Sequence, residues 1–267
     1  MSHNQVNMYN IDPHIAEIYD RSENYTDDVD LILHLMQAET HDRPGAWNIF
    51  EPFCGTGRIL VPLAQAGHRL TGSDQSKMFL ESCRRKLHEA GLQAELIEGD
   101  VITDPWPSGF DLLVMGGNCL YELANVEEQE HCIRAAAGAL KPGGMLYVDN
   151  DHMEGELSER WQDTGLYPGF PSGMCADGVR VESTTQVIWF DAPARLARFQ
   201  RTTRAIYPDG TINEQTYVQQ KHPVSTGEVS GWLKKHGFSI EKCFGSRAGE
   251  EYTDSSERAI FWARRTG

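Results

Sequence analysis

Asn48-Ile-Phe-Glu-Pro-Phe-Cys-Gly-Thr-Gly-Arg58, with Asp74 closing the next apolar run, decides the fold. It reads as a buried strand, a tight glycine turn and a helix start, with a carboxylate at the tip of the neighbouring strand. Gly55 and Gly57 permit turn conformations and a close approach of backbone to a ligand that a Cβ would block. A helix start offers free N–H groups and a positive dipole end to an anion. Asp74 can accept two hydrogen bonds from a ribose diol. A nucleoside cofactor is the first expectation.

Working outward, residues 48–53, 69–74, 94–100, 110–117 and 143–151 read as buried strands. Helical stretches at 58–67, 76–90 and 126–139 separate them. This alternation predicts an α/β fold, a doubly wound parallel sheet covered on both faces, with ligands at the carboxyl ends of its strands. Before it, Ile11, Ile15, Ile18 and Tyr19 keep helical spacing, and Thr26 precedes a second apolar face of Val29, Leu31, Ile32, Leu35 and Met36 ending at Pro44-Gly45. After about residue 152 the pattern becomes extended: Val179 to Phe190, Leu196 to Tyr207 and Glu214 to Lys221, with a turn at Pro208-Asp-Gly210. Ser225-Thr-Gly-Glu228 is a capping box opening a helix. Phe238 to Gly245 and Ala259 to Arg264 are two last strands. The expected division is a helical cap (1–45), a cofactor-binding core (46–151), an antiparallel insertion or lid (152–223), and a final helix and strand pair (224–267).

Which cofactor the turn takes follows from what it lacks. A dinucleotide fingerprint needs a third glycine where Leu60 stands, and no Gly-Lys-Ser/Thr phosphate loop occurs. Glu51, four residues before Gly55, completes an acid-x-x-x-G-x-G pattern. Together with Gly72-Ser-Asp-Gln-Ser-Lys-Met78, Glu98-Gly-Asp-Val101, Phe110-Asp-Leu-Leu-Val-Met-Gly-Gly-Asn118 and Leu140-Lys-Pro-Gly-Gly-Met-Leu-Tyr-Val148, it resembles the ordered motifs of class I S-adenosylmethionine (SAM)-dependent methyltransferases. The resemblance implies a Rossmann-like seven-stranded sheet, SAM as methyl donor and S-adenosylhomocysteine as product. It implies cofactor contacts from Glu51, Cys54, Gly55, Thr56, Gly57 and Arg58, then Asp74, Gln75 and Met78, then Gly99, Asp100 and Val101, and last Gly117 and Asn118. Within these, Asp74 would hold the ribose, and Asp100 with the next backbone N–H the adenine.

Gly117-Asn-Cys-Leu-Tyr-Glu-Leu123 is similar to a segment of the glycine and glycine/sarcosine N-methyltransferases. Asp149-Asn-Asp-His-Met-Glu154 stands where those enzymes carry a further motif but lacks its Arg-Asn-Tyr, which leaves the acceptor unassigned. The N-terminal helices and insertion also resemble those of amino-sugar N-methyltransferases, where such elements close over the acceptor.

Acceptor-site candidates lie on the rim. Tyr9, Tyr19 and Tyr25 can orient a methyl donor or simply pack; Tyr121 and Glu122 open the helix after the fourth strand; His152 can take a proton near neutral pH or be a plain loop residue. Tyr19, Tyr121 and His152 are the catalytic candidates. Asn150 and Asp151 can hold a cationic amine or turn the chain, and His222 before Pro223 reads as a turn. Arg195, Arg198, Arg201 and Arg204 recur every third residue, so an alternating strand scatters them over both faces and into solvent. Trp189 and Phe190 read as core or as an aromatic wall.

Composition narrows the field. A net charge of −15 disfavours a nucleic-acid substrate, which needs a basic face. No apolar run approaches a membrane span, and the N-terminal residues lack a signal-peptide pattern. Six cysteines without a C-x-x-C pair read as free thiols in a cytoplasmic protein, and ten scattered histidines give no metal spacing. The expected function is methyl transfer to a small-molecule acceptor, at an amine nitrogen. The alternatives are an oxygen- or carbon-directed methyltransferase, and a non-catalytic SAM-binding module. Strand edges in the insertion are open to pairing in a homodimer.

Overall fold

The computed structural model describes residues 12–39 and 45–267, so Tyr9, Ile11 and Pro44 lie outside the described residues. A seven-stranded sheet is built from β1 (Asn48–Glu51), β2 (Arg69–Asp74), β3 (Glu95–Glu98), β4 (Phe110–Met115), β5 (Leu140–Asp151), β11 (Phe238–Phe244) and β12 (Arg258–Arg265). The order is β11-β12-β5-β4-β1-β2-β3. The first five run parallel, and β12 lies antiparallel between β5 and β11. The direction of the connection reverses between β1 and β4, the point where such sheets open a crevice.

The two-residue period of a strand sends neighbours to opposite faces. Ile49, Leu112, Tyr147 and Trp262 enter one buried layer, with α2 (Asp27–Ala38), α3 (Leu60–Gln65) and α4 (Lys77–Glu89). Phe50, Leu113, Val148 and Phe261 enter the other, with α5 (Val126–Ala139) and α6 (Thr226–Lys235). The second N-terminal helix is thus core, since its apolar face completes a layer that the short α3 leaves open. The first, α1 (Pro13–Ser22), instead buries Ile15 and Ile18 against Val179, Val181 and Ala205 of the insertion.

Helix ends follow local chemistry. Ser76 and Asn125 cap α4 and α5 through side-chain acceptors, and Ser225 with Glu228 forms the full capping box of α6. The helix expected at 58–67 is only six residues long, because turn geometry persists through Arg58 and Ile59. The strand expected from 143 starts at Leu140 and spans the Pro142–Gly144 turn motif.

The insertion is a second, antiparallel sheet: β10 (Ile212–Lys221), β9 (Leu196–Ile206), β8 (Arg180–Asp191) and the short β6 (Tyr167–Pro168), with β7 (Gly173–Met174) on β8. It carries the chain from β5 back to α6. Among the described residues, no helix is long and apolar enough to cross a membrane.

Candidate functional site

The turns at the carboxyl ends of β1 to β4 open into one cleft with about 1320 Å³ of empty space including its mouth. It is lined by the turns after four neighbouring strands and by residues of the N-terminal helices and of the insertion.

At the floor, Asp74 receives the backbone N–H of Gly55 (2.9 Å) on one oxygen and that of Ser76 (2.8 Å) on the other. Burial lifts its carboxyl to about 6 against those two hydrogen bonds. Each carboxylate oxygen accepts more than one hydrogen bond, so both retain capacity for a vicinal diol. Glu51, at the tip of β1, is 4% exposed and lines the same cleft. It takes the Leu60 backbone N–H, while its Oε2 has no hydrogen-bond partner among the described residues. Burial pushes its carboxyl well above the ordinary range, with Arg58 opposing. The buried Thr56 hydroxyl also has no hydrogen-bond partner among the described residues. Buried polar atoms without partners are costly, and a ligand bearing donors relieves that cost.

The two glycines of the turn divide their work. Gly55 (φ +53°) lines the cleft and supplies the N–H to Asp74. Gly57 (φ +83°) does not line it: a Cβ there would sit 2.6 Å from the Cys83 Sγ on α4, so helix packing is what demands glycine. Cys54 and Gln75 line the cleft; Met78 lies outside the lining. Beyond β3, Gly99, Asp100, Val101 and Ile102 line it, giving an apolar wall beside a carboxylate. Asp100 Oδ1 accepts from the Ile102 N–H (2.8 Å), which holds that turn in shape.

After β4, Gly117 (φ +64°) lines the cleft, while Asn118 (φ 61°, ψ 28°) lies outside the lining. Asn118 Oδ1 accepts from the Asp151 N–H (2.7 Å) and from Arg258 (3.0 Å), tying the turn to β5 and β12. Asp149, fully buried, joins Arg247 (2.9 Å) and Arg258 (2.7 Å). Asp151 pairs with Arg258 (2.6 Å), and both polar atoms of Asn150 are buried without partners among the described residues.

The N-terminal helices reach the same turns. Arg58 forms a two-pronged pair with the buried Asp28 (2.8 and 2.6 Å) and lies 3.9 Å from the Tyr25 ring centroid. Arg247 lies 4.3 Å from that centroid. No local sequence pattern pairs Asp28 with an arginine 30 residues on.

Of the catalytic candidates, Tyr19 lines the cleft and packs on Phe79 (4.9 Å between centroids). Tyr121 lies outside the lining, with Lys221 Nζ 4.0 Å from its ring centroid. Burial pushes both phenols up. His152 is also outside the lining, its Nδ1 3.0 Å from Thr226 Oγ1 and 3.0 Å from the Tyr252 hydroxyl. His222 is buried against Gln129 (2.8 Å), consistent with a structural turn.

The arginine series behaves differently from the solvated scatter expected. Arg204 alone is exposed, pairing with Glu214. Arg195 binds backbone carbonyls of Met153, Gly155 and Pro223, and Arg198 stands over Trp189 (4.6 Å) and binds Gln220 (3.1 Å). Arg195 lies in the turn before β9, and β9 is flanked by β10 and β8, so the side chains of this series find protein partners that a lone strand would lack.

Sequence reasoning missed the cleft wall supplied by the insertion: Tyr217 and Gln219 line it, and Lys221 follows on the same strand face. Gln219 Nε2 and Lys221 Nζ both donate to Glu122 (2.8 Å each).

Residues 49–144 match the family model described as a methyltransferase domain. A cypemycin N-terminal methyltransferase from Streptomyces sp. is 33% identical over 208 residues, covering 78% of each chain. A SAM-dependent methyltransferase from Clostridium acetobutylicum shares the fold with a TM-score of 0.74 at 17% identity, over 98% of this chain and all of that one. A sugar N-methyltransferase from Streptoalloteichus sp. does so with a TM-score of 0.68 at 18% identity, over 93% and 91%.

Proposed function

The chain belongs to the class I SAM-dependent methyltransferases, and from that premise we propose that it methylates an amine nitrogen of a small molecule. The donor is SAM. The orphaned Glu51 Oε2 and the Asp74 carboxylate fit its cationic and diol groups.

The observation that carries the nitrogen reading is the kind of groups lining the cleft. Among the described lining residues there is no histidine, the three tyrosines (Tyr19, Tyr25 and Tyr217) all have phenols pushed up by burial, and the raised carboxyls of Asp74 and Glu51 are the ones taken up by SAM in this reading. A hydroxyl acceptor needs a base of near-neutral pKa within reach. An amine arriving neutral needs none. Its lone pair forms the N–C bond as the S–C bond breaks, that pair going to sulfur, and the nitrogen then releases a proton to water. The protein's part is alignment, the contribution that holding two reactants in line makes. The relatives named above, directed by their names to a peptide N-terminus and to a sugar nitrogen, support the same reading.

The test is transfer from labelled SAM to a panel of amines, amino sugars, peptides and phenols, with products identified by mass. Label on nitrogen supports the reading; label on oxygen or carbon alone removes it.

A further inference from the structure

Glu122 ends a one-turn 3₁₀ helix (Cys119–Glu122) after β4. Its side chain is 48% accessible although protein surrounds it, because what it faces is the cleft. Behind it sits Lys221, whose side chain is 3% exposed. Gln219 donates its Nε2 to the second Glu122 oxygen. Reversing that amide would set two acceptors face to face, so its orientation is fixed. The Gln219 Oε1 then remains a buried acceptor with no hydrogen-bond partner among the described residues, on a residue 8% exposed that lines the cleft.

We infer that the Glu122 carboxylate and the Gln219 carbonyl form the acceptor subsite, a pair of hydrogen-bond acceptors that docks a primary or secondary amine through its N–H groups. The inference rests on the nitrogen reading above and names the groups that select for it. The sign of the site decides the ligand class. Both groups facing the cleft are acceptors, and the cation is behind them, so an amine is favoured over a carboxylate or phosphate. Burial alone would lift the Glu122 carboxyl, but Lys221 and Arg201 hold it down to about 2, so it is ionised throughout the working range. Tyr19 and Tyr217 add ring surface to the same cleft, against which the carbon skeleton of the amine can pack.

The experiment uses the full chain with labelled SAM and three amine probes: benzylamine, glucosamine and a glycine-initiated tripeptide, with a phenol alongside. In Glu122→Gln the KM for the methylated amine should rise about tenfold or more, a charge-assisted hydrogen bond becoming a neutral one. Gln219→Leu should raise it less, and kcat should move by a few-fold at most in either. S-adenosylhomocysteine affinity should not change, which separates this subsite from the Asp74 end. Glu122→Gln combined with Lys221→Met removes both charges; it should recover any lost thermal stability without recovering KM, which a purely structural role would not do. An unchanged amine KM in Glu122→Gln overturns the inference and leaves nitrogen methylation standing. Transfer only to the phenol overturns both, as does no transfer together with no binding of any amine to the S-adenosylhomocysteine-loaded protein.

Discussion

The two sides of the cleft are built on different plans. The donor side is backbone. Gly55 and Ser76 N–H groups, each in a short turn at the tip of one of two adjacent strands, hold Asp74. The acceptor side is made of side chains brought together across the chain: Glu122 meets Gln219 and Lys221 from 97 and 99 residues away. Backbone turns fix a ligand common to a family and tolerate little change. Side-chain pairs across an insertion can be rewritten one residue at a time. Positioning for the donor is therefore intrinsic to the core, and positioning for the acceptor depends on the insertion docking correctly.

The sharpest break of the comparison is Asp74→Ala. It removes the carboxylate proposed to take the ribose diol, so S-adenosylhomocysteine affinity should fall about a hundredfold or more by calorimetry, while circular dichroism stays native. Loss confined to acceptor KM would instead mean that the two sides are not separate.

Next is Lys221→Met. It leaves the half-exposed Glu122 carboxylate without its ammonium, and about 1 kcal/mol of stability should be lost in urea denaturation. Adding Glu122→Gln should return most of it. Equal losses in the single and double variants would mean that the pair does not couple insertion to core.

The donor side also has a pH signature. Asp74 titrates at about 6 in the free protein because of burial, and ribose hydroxyls would favour its ionised form. The complex then binds fewer protons than the free protein, so affinity weakens as pH falls below about 6, by up to tenfold per unit, and levels off above it. Calorimetry of S-adenosylhomocysteine between pH 4.5 and 8 measures this; a flat profile would remove Asp74 from the contact.

The smallest effect concerns the seam between α1 and the insertion. His14 lies between Asp12 (2.6 Å) and Asp177 (2.9 Å), and Asp12 also takes the Tyr207 hydroxyl (2.7 Å). Burial would lower the imidazole, but the two carboxylates override it and raise it above 6.5. Its stabilisation is fully present below 6.5 and is lost as pH rises through the raised value. Burial likewise opposes ionisation of Asp12, yet its hydrogen bonds from Tyr207, His14 and Asn213 hold it below the ordinary carboxylate value, so it stays charged across this window. His14→Gln should cost under about 1 kcal/mol at pH 5.5 and almost nothing at pH 9 in urea denaturation. A larger cost at the higher pH would contradict the charge-based seam.

The same contrast explains what the sequence made legible. The alternation of strands and helices, the sheet covered on both faces, and the placing of the Gly55 turn and of Asp74 at strand tips follow from local periodicity and from glycines at fixed offsets. Gly57 was legible as a glycine but not as a packing residue, because its neighbour Cys83 lies a whole strand and turn away. Arg58 was expected at a helix start and among the cofactor contacts, and nothing local pointed to Asp28 as its partner; their pairing is tertiary. Lys221 ended a strand with no sign of being buried, since only the core's Glu122 makes a buried ammonium tolerable there. Acceptor residues are hidden in a single sequence whenever what defines them is a partner in another element.

Among the described residues, Tyr217 and Gln219 are what the insertion places on the cleft wall, and with Lys221 they occupy alternate positions of β10. That makes one strand face a cassette. A lineage, or an engineer, changing what this scaffold methylates needs to exchange that face and residue 122 together, leaving the donor turns as they are. In related chains the charges at positions 122 and 221 should therefore be inherited as a pair, flipping or disappearing in step, even where the turn around Asp74 does not vary at all.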